Sequence, residues 1–195
     1  AQQAWIIAAT VVLALLAAAL PEDEAVWAAC EIAHSLPSTD GFMQRTLMAL
    51  ASSSERVGRS YRIFPSPRNT RFNEMEYEVP AARGAECAQE ILETVRKSDI
   101  NVLFPIEYRY VAADNCWLSP FYQQDSCAIS IHQYHKVDYR PLFALVEPIL
   151  RRYGGRPHWG KLHALRQADL ASMYPRWRDF QAMRQQFDPQ GRMLN

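Results

Sequence analysis

A carboxylate and a guanidinium lie two residues apart in the segment Asn101–Tyr110. Its alternate positions are apolar or aromatic, namely Val102, Phe104, Ile106, Tyr108 and Tyr110, which is typical of a β-strand with one face in a core. Side chains two residues apart on a strand share a face, so Glu107 and Arg109 lie side by side on the opposite face. Opposite charges at this spacing can pair directly. The pattern fits a surface ion pair, and it also fits a charged site for a ligand.

A second polar face follows in the segment Cys127–Tyr134. Ile129 and Ile131 define an apolar face, and the alternate positions Ala128, Ser130, His132 and Tyr134 form the other. If the two strands are neighbours, Glu107, Arg109 and His132 line one polar surface that suits a polyhydroxylated ligand. The alternative is a structural histidine, which is the commoner role of a lone His.

The segment Gly154–Lys161 concentrates three glycines, a proline, a tryptophan, a histidine and two cations. The glycines let the backbone approach a ligand closely, so this loop can bring Lys161 or His158 to a binding site. A purely structural turn is the alternative.

The sequence lacks the residue spacing or charge that metal, redox and nucleic-acid sites require. The histidine pairs 132/135 and 158/163 have no cysteine or carboxylate partner in metal-ligand spacing, so no metal site is expected. The four cysteines form no CxxC pair and suggest buried thiols in a reducing compartment. Since 21 basic residues balance 21 acidic ones, the chain has no basic field for nucleic acid.

Helices and strands interleave without βαβ spacing, which predicts an α+β fold. The predicted helices cover 21–34, 42–56, 80–97, 140–153, 162–171 and 175–187. The predicted strands cover 61–64, 72–79, 102–111 and 127–134. In the second of these, Met75, Tyr77 and Val79 share one face and Glu74, Glu76 and Glu78 the other. We expect a helical subdomain over residues 1–57 and a second domain over 58–195.

The amino-terminal run Trp5–Leu20 is almost wholly apolar and carries no charge. Its length is at the lower limit for a membrane span. The eight alanines among the first 20 residues and the lack of flanking basic residues favour a buried or interfacial helix instead. A cytoplasmic or membrane-associated location is therefore expected.

Five short motifs in this order resemble one family. They are Phe72–Tyr77 with Val79-Pro80, the Glu107-x-Arg109 pair, Trp117–Pro120, the loop Gly154–Lys161, and Phe187-Asp188-Pro189-x-Gly191 with Asn195. Together they resemble the carboxy-terminal domain of the aldonolactone oxidases, a family that includes gulonolactone, arabinonolactone and galactonolactone enzymes and alditol oxidase. The resemblance covers residues 59–195, and the first 57 residues carry no matching motif.

The resemblance implies the cap, or substrate, domain of a flavoenzyme with the vanillyl-alcohol-oxidase fold, a mixed antiparallel sheet with flanking helices. Such an enzyme uses FAD to oxidise a sugar lactone at a secondary hydroxyl. No glycine-rich FAD-binding stretch occurs in the 195 residues. We therefore expect FAD to be held mainly by a partner domain or chain, toward which residues 154–195 close back.

The resemblance also implies roles for individual residues. Arg109 would stabilise negative charge on the flavin, Glu107 would orient Arg109 and bind a substrate hydroxyl, and Lys161 would contact substrate oxygens and the flavin edge. Ser130, His132, Tyr134 and His158 are expected near the substrate, and Trp159 and Asn195 near the cofactor. His132 falls where alditol oxidase has a threonine, which favours a lactone over an alditol. A non-catalytic binding or assembly subunit that retains the fold remains the alternative.

Overall fold

The computed structural model describes residues 22–39, 41–42, 44–45, 55, 57–63 and 69–193 of the chain. Six labelled helices lie within these ranges: α1 (Glu22–Ser35), α2 (Ser60–Ile63), α3 (Ala81–Arg96), α4 (Arg140–Arg152), α5 (Gln167–Met173) and α6 (Trp177–Phe187). A 3₁₀ turn covers Pro37–Thr39. The strands are β1 (Phe72–Pro80), β2 (Glu107–Val111), β3 (Ser126–Tyr134) and β4 (Arg156–Pro157).

The four strands form one sheet in the order β2-β3-β1-β4 within the described part of the chain. The pairs β2/β3 and β1/β4 are both antiparallel, and helices and strands are interspersed along the chain. The predicted α+β class is therefore confirmed. All nine residues of β3 are buried, as befits a central strand covered on both faces.

Helices α3 and α4 pack against each other. In α3 the buried residues Gly84, Cys87 and Ile91 recur at helical spacing, which makes one face of the helix the contact face. Gly84 allows a close approach, because a Cβ there would lie 2.5 Å from Sγ of Cys127 on β3. The apolar face of the sheet is thus covered by α3.

The chain divides into two compact units. The first contains residues 1–73, 100–105 and 132–139, and the second contains 74–99, 106–131 and 140–195. In the first unit α1 contributes Ala29 and Cys30 to a small apolar core with Leu103 and Tyr134. The second unit contains the paired segments of β2, β3, β1 and β4 together with α3 to α6.

Most predicted elements occur within a residue or two of their expected ends, including β1, α3, β3 and α4. Three differ. Residues 61–63 were expected to be extended, but they lie in the helical turn α2, which the bond from the Ile63 N–H to the Arg59 carbonyl closes. The strand expected from Val102 begins only at Glu107, because Pro105 has no N–H to donate to a ladder. The helix expected over 162–171 lies at Gln167–Met173.

Two predictions fall outside the described residues: the apolar segment 1–20 and most of the helix over 42–56. Residues 41–42 and 44–45, at the start of the latter, are helical. Among the residues that the structure describes, no helix combines the length and hydropathy needed to cross a bilayer.

Candidate active site

Three glutamates project from one face of β1. Met75, Tyr77 and Val79 occupy the buried alternate positions, so Glu74, Glu76 and Glu78 share the other face, as the alternation predicts. Burial increases along this row: the side chain of Glu74 is 11% exposed, that of Glu76 is 6% exposed, and Glu78 is fully buried. Carboxylates at such depth require partners or protons.

Arg109 on β2 reaches one of these glutamates across the intervening strand. In the β2/β3 register Arg109 lies opposite Ala128, and Glu107 lies opposite Ser130. Since β3 separates β2 from β1, the side chains of Arg109 and Glu76 together bridge two strand spacings, roughly 10 Å. The small side chains of Ala128 and Ser130 leave room for it.

The guanidinium of Arg109 is fixed on its inner side. Its Nη2 donates to Oε1 of Glu76 at 2.9 Å and lies 3.5 Å from Oγ of Ser130. Ser130 in turn donates to Oε2 of Glu76 at 2.8 Å. The Arg109 side chain is still 49% exposed, so this anchored cation keeps an open face.

Glu107 holds Arg109 from a second direction. Its Oε2 lies 3.5 Å from Nη1 of Arg109, which confirms that the two residues share a face and pair. Both side chains are partly exposed, and the pair alone would resemble an ordinary surface ion pair. The buried Glu76 beneath Arg109 distinguishes it from one.

Lys161, which lies at the end of the glycine-rich loop, binds the same row of glutamates. Strand β4 pairs with β1, and the ladder continues through the N–H of His158 to the Glu76 carbonyl (3.0 Å) and the N–H of Leu162 to the Glu74 carbonyl (2.9 Å). Between these two bonds Lys161 Nζ forms an ion pair with Oε2 of Glu74. Glu74 and Glu76 are neighbours on one strand face, so Lys161 and Arg109 are bound to adjacent carboxylates.

His158 and Trp159 have their polar atoms engaged within the loop. Nδ1 of His158 accepts from the Gly160 N–H at 3.0 Å, which tightens the turn before Lys161. Nε1 of Trp159 donates to the Leu118 carbonyl at 2.7 Å, and its ring stacks on Tyr174 with centroids 5.2 Å apart. Both residues shape the loop that presents Lys161.

His132 and Tyr134 belong to the first unit and are described with it. The His132 ring, 6% exposed, packs edge-on against Phe72 with centroids 4.8 Å apart. The Tyr134 hydroxyl donates to Oε1 of Glu31 on α1. Lys136 also binds Glu31, at 2.6 Å, and these two hydrogen bonds, that of Lys136 foremost, lower the pKa of Glu31.

A cleft of about 360 Å³ lies in the first unit, lined in part by His34, Asn101, Gln133 and Tyr134. Gln133 donates to the Asn101 carbonyl within it at 3.1 Å. The remaining predicted site residue, Asn195, lies outside the described residues.

The structure thus brings Glu107, Arg109, Ser130 and Lys161 to one row of glutamates. The alternation of Glu74, Glu76 and Glu78 is visible in the sequence, but it does not by itself assign them to the site. Their signal was present, because three acids on one strand face are unusual unless cations meet them.

Residues 20–195 match the family described as D-arabinono-1,4-lactone oxidase. The chain belongs to this family. The resemblance of its motifs is therefore confirmed, and the match also covers residues 20–57, which carry no recognisable motif.

Named relatives agree with this assignment. The chain is 39% identical over 166 residues to an L-gulono-1,4-lactone dehydrogenase of Mycobacterium tuberculosis, which is 85% of this chain and 39% of that protein. It is 32% identical over 150 residues to an L-gulonolactone oxidase of Scyliorhinus torazame, which is 74% of this chain and 34% of the relative. An alditol oxidase of Streptomyces is 32% identical over 121 residues, covering 62% and 29% respectively. The chain thus spans less than half the length of the curated relatives it matches.

Proposed function

We propose that this chain is the substrate-binding part of an FAD-dependent oxidoreductase that oxidises an aldono-1,4-lactone of the gulono, galactono or arabinono type. The family membership and the names of the relatives support the reaction class. The observation that carries the proposal is the anchored, half-exposed guanidinium of Arg109 beside the Lys161 ion pair.

The donor set suits a flavin that gains negative charge. A guanidinium is a permanent cation. That of Arg109 is held by Glu76, Ser130 and Glu107, while its side chain stays 49% exposed. A cation held in place before the reaction stabilises developing charge without reorganisation. When bound, the flavin would accept the hydride from the substrate carbon.

The other residues of the proposed site act on the substrate. Lys161 would donate to the lactone oxygens from its position above Glu74. Glu107, whose side chain is 40% exposed, would accept a hydrogen bond from a substrate hydroxyl and hold the Arg109 guanidinium in position. Ser130 would act through Glu76, to which it donates. Substrate contacts by His132, Tyr134 and His158, and cofactor contacts by Trp159 and Asn195, remain part of the proposal.

We also propose that residues 58–195 form a cap domain of the vanillyl-alcohol-oxidase type after a helical subdomain over 1–57, and that FAD is held mainly by a partner domain or chain. The α+β fold and antiparallel strand pairs of the described residues are compatible with that architecture.

Anaerobic flavin reduction in the assembled enzyme tests the proposal. Replacement Arg109→Ala should slow reduction by an aldonolactone roughly 100-fold, the scale for one lost charge stabiliser. Arg96→Ala on α3, an exposed arginine, is the matched control and should leave the rate unchanged. Equal rates for the two variants would remove Arg109 from the site.

A substrate panel of L-gulono-, L-galactono- and D-arabinono-1,4-lactone with an alditol distinguishes the lactone and alditol readings. If the purified assembly is colourless and no flavin-binding chain accompanies it, the non-catalytic binding subunit becomes the better description.

A further inference from the structure

Glu78 is a buried acid that the proposed site does not use. It is fully buried on the same face of β1 as Glu76. Neither of its carboxylate oxygens accepts a hydrogen bond from the residues that the structure describes. An ionised carboxylate in this position would pay its full desolvation cost without compensation, whereas a neutral acid would not.

Within the described part of the chain, no cation pairs with the Glu78 carboxylate. Arg156 is its partner in the β1/β4 register, but the Arg156 guanidinium donates to the carbonyls of Tyr122 (2.9 Å) and Pro120 (3.2 Å). Arg109 binds Glu76 instead. The hydroxyl of the buried Tyr174 is directed to the Pro157 carbonyl at 3.4 Å.

The Glu76 carboxylate is also a neighbour of Glu78. Once protonated, Glu78 can donate its proton to Glu76, so the neutral form gains the partner that the ionised form lacks. Burial, followed by the charge of Glu76 and this hydrogen bond, raises the pKa of Glu78 to about 8, while Arg109 opposes the shift. A pKa above neutrality favours the neutral form of Glu78 at pH 7.

We infer that Glu78 is a positioning residue: a neutral carboxylic acid whose proton is donated to Glu76 and fixes the carboxylate that holds Arg109. Glu76 then has three donors, namely Arg109, Ser130 and Glu78, which leaves it little freedom to rotate. The carboxylates of Glu76 and Glu107 already lie beside Arg109. Loss of the Glu78 proton would add a further anion near Arg109 and weaken its positive field.

The protonation state is testable without turnover. Infrared spectra of the holoenzyme with ¹³C-carboxyl glutamate should show a protonated-acid carbonyl band at pH 7 that is absent from Glu78→Gln. The band should fade as the pH rises through about 8. Glu93→Gln on α3 replaces an exposed glutamate and should leave the band unchanged. A wild-type enzyme without this band at pH 7 would overturn the inference.

The positioning role rests on the proposed function and has its own readout. Glu78→Ala should slow flavin reduction about tenfold, the scale of one lost hydrogen bond. Glu78→Gln, which is neutral and able to donate, should recover most of that loss. The wild-type rate should fall as the pH rises above about 8, and the Gln variant should show no such fall.

The two kinds of failure are separable. If Arg109→Ala leaves flavin reduction unchanged, the proposed function fails while the infrared band still reports the proton on Glu78. If Arg109 proves essential but Gln at position 78 is no better than Ala, or keeps the alkaline fall in rate, the positioning role is wrong. Should the Ala variant fail to fold, the pH profile of the Gln variant still decides.

Discussion

The Tyr77 hydroxyl donates a 2.5 Å hydrogen bond to Oε1 of Glu147 on α4, and the same oxygen accepts from the backbone N–H of Ala164 at 2.8 Å. This carboxylate joins the apolar face of β1 to the segment that follows Lys161. Strand β1 therefore anchors a helix with one face and carries the glutamates of the candidate site on the other.

Removal of the Tyr77 hydroxyl should destabilise the fold. In Tyr77→Phe the buried Glu147 carboxyl loses the hydrogen bond from the Tyr77 hydroxyl, which costs about 1–3 kcal/mol. The midpoint of denaturant unfolding measures the loss. Tyr61→Phe, a change at a mostly exposed ring, is the control and should stay within about 0.5 kcal/mol of the wild type. Equal midpoints for the two variants would show that the Tyr77–Glu147 bond contributes nothing.

Gly84→Ala should destabilise the protein even though alanine is the better helix former. Replacement of an exposed helical glycine by alanine stabilises a helix by up to about 1 kcal/mol. Here the new Cβ would lie 2.5 Å from Sγ of Cys127 and 2.6 Å from the Tyr108 hydroxyl oxygen, so α3 must move away from β3. Overpacking of this kind costs about 1–3 kcal/mol.

The same unfolding midpoint compares Gly84→Ala with Gly160→Ala. At Gly160 the closest atom to a new Cβ is Cε1 of the His158 side chain at 3.3 Å, which can adjust. A Gly84→Ala variant as stable as its Gly160 counterpart would contradict the close approach of α3 to β3.

Local periodicity explains which parts of the fold the sequence predicts. A period of two is read within one strand, so the faces of β1 and the Glu107–Arg109 pair follow from the sequence alone. The starting point of β2 does not, because the apolar alternation continues through Pro105 although the hydrogen-bond ladder cannot.

Strand order is not local information, and the rest of the site depends on it. Arg109 meets Glu76, 33 residues earlier, only because β3 lies between their strands and carries small residues there. Lys161 meets Glu74, 87 residues earlier, because β4 extends the sheet beside β1. Neither partner could be chosen from spacing along the chain.

Ser130→Ala should destabilise the protein and loosen Arg109. Ser130 is fully buried, and its hydroxyl satisfies Oε2 of Glu76. Its removal leaves a buried carboxylate oxygen without that donor, at a cost of about 1–3 kcal/mol in unfolding free energy. Ser172→Ala, an exposed serine on α5, should change stability by less than about 0.5 kcal/mol. The rate of flavin reduction should fall less in Ser130→Ala than in Arg109→Ala, because the Arg109 cation is still present. A larger fall in Ser130→Ala would mean that Ser130 contacts the substrate directly.

Lys161→Ala should weaken substrate binding more than it slows the chemical step. A hydrogen bond from a charged group contributes about 1.5–3 kcal/mol, so the dissociation constant of the lactone should rise roughly 10- to 150-fold. Saturation of the flavin-reduction rate with lactone concentration gives this constant and the limiting rate separately. Glu74→Gln should have a smaller effect of the same kind, because it removes the ion pair that holds Lys161 in place but leaves the Lys161 ammonium group.

Lys97→Ala removes an exposed lysine just after α3 and is the matched control for lost charge. If Lys161→Ala binds the lactone as tightly as Lys97→Ala does, Lys161 has no substrate contact, and its ion pair with Glu74 is structural. A large fall in the limiting rate with unchanged binding would instead place Lys161 beside Arg109 as a stabiliser of developing charge. The two outcomes have different causes. Loss of an interaction made equally in the ground and transition states raises only the dissociation constant, whereas loss of an interaction made only in the transition state lowers the limiting rate.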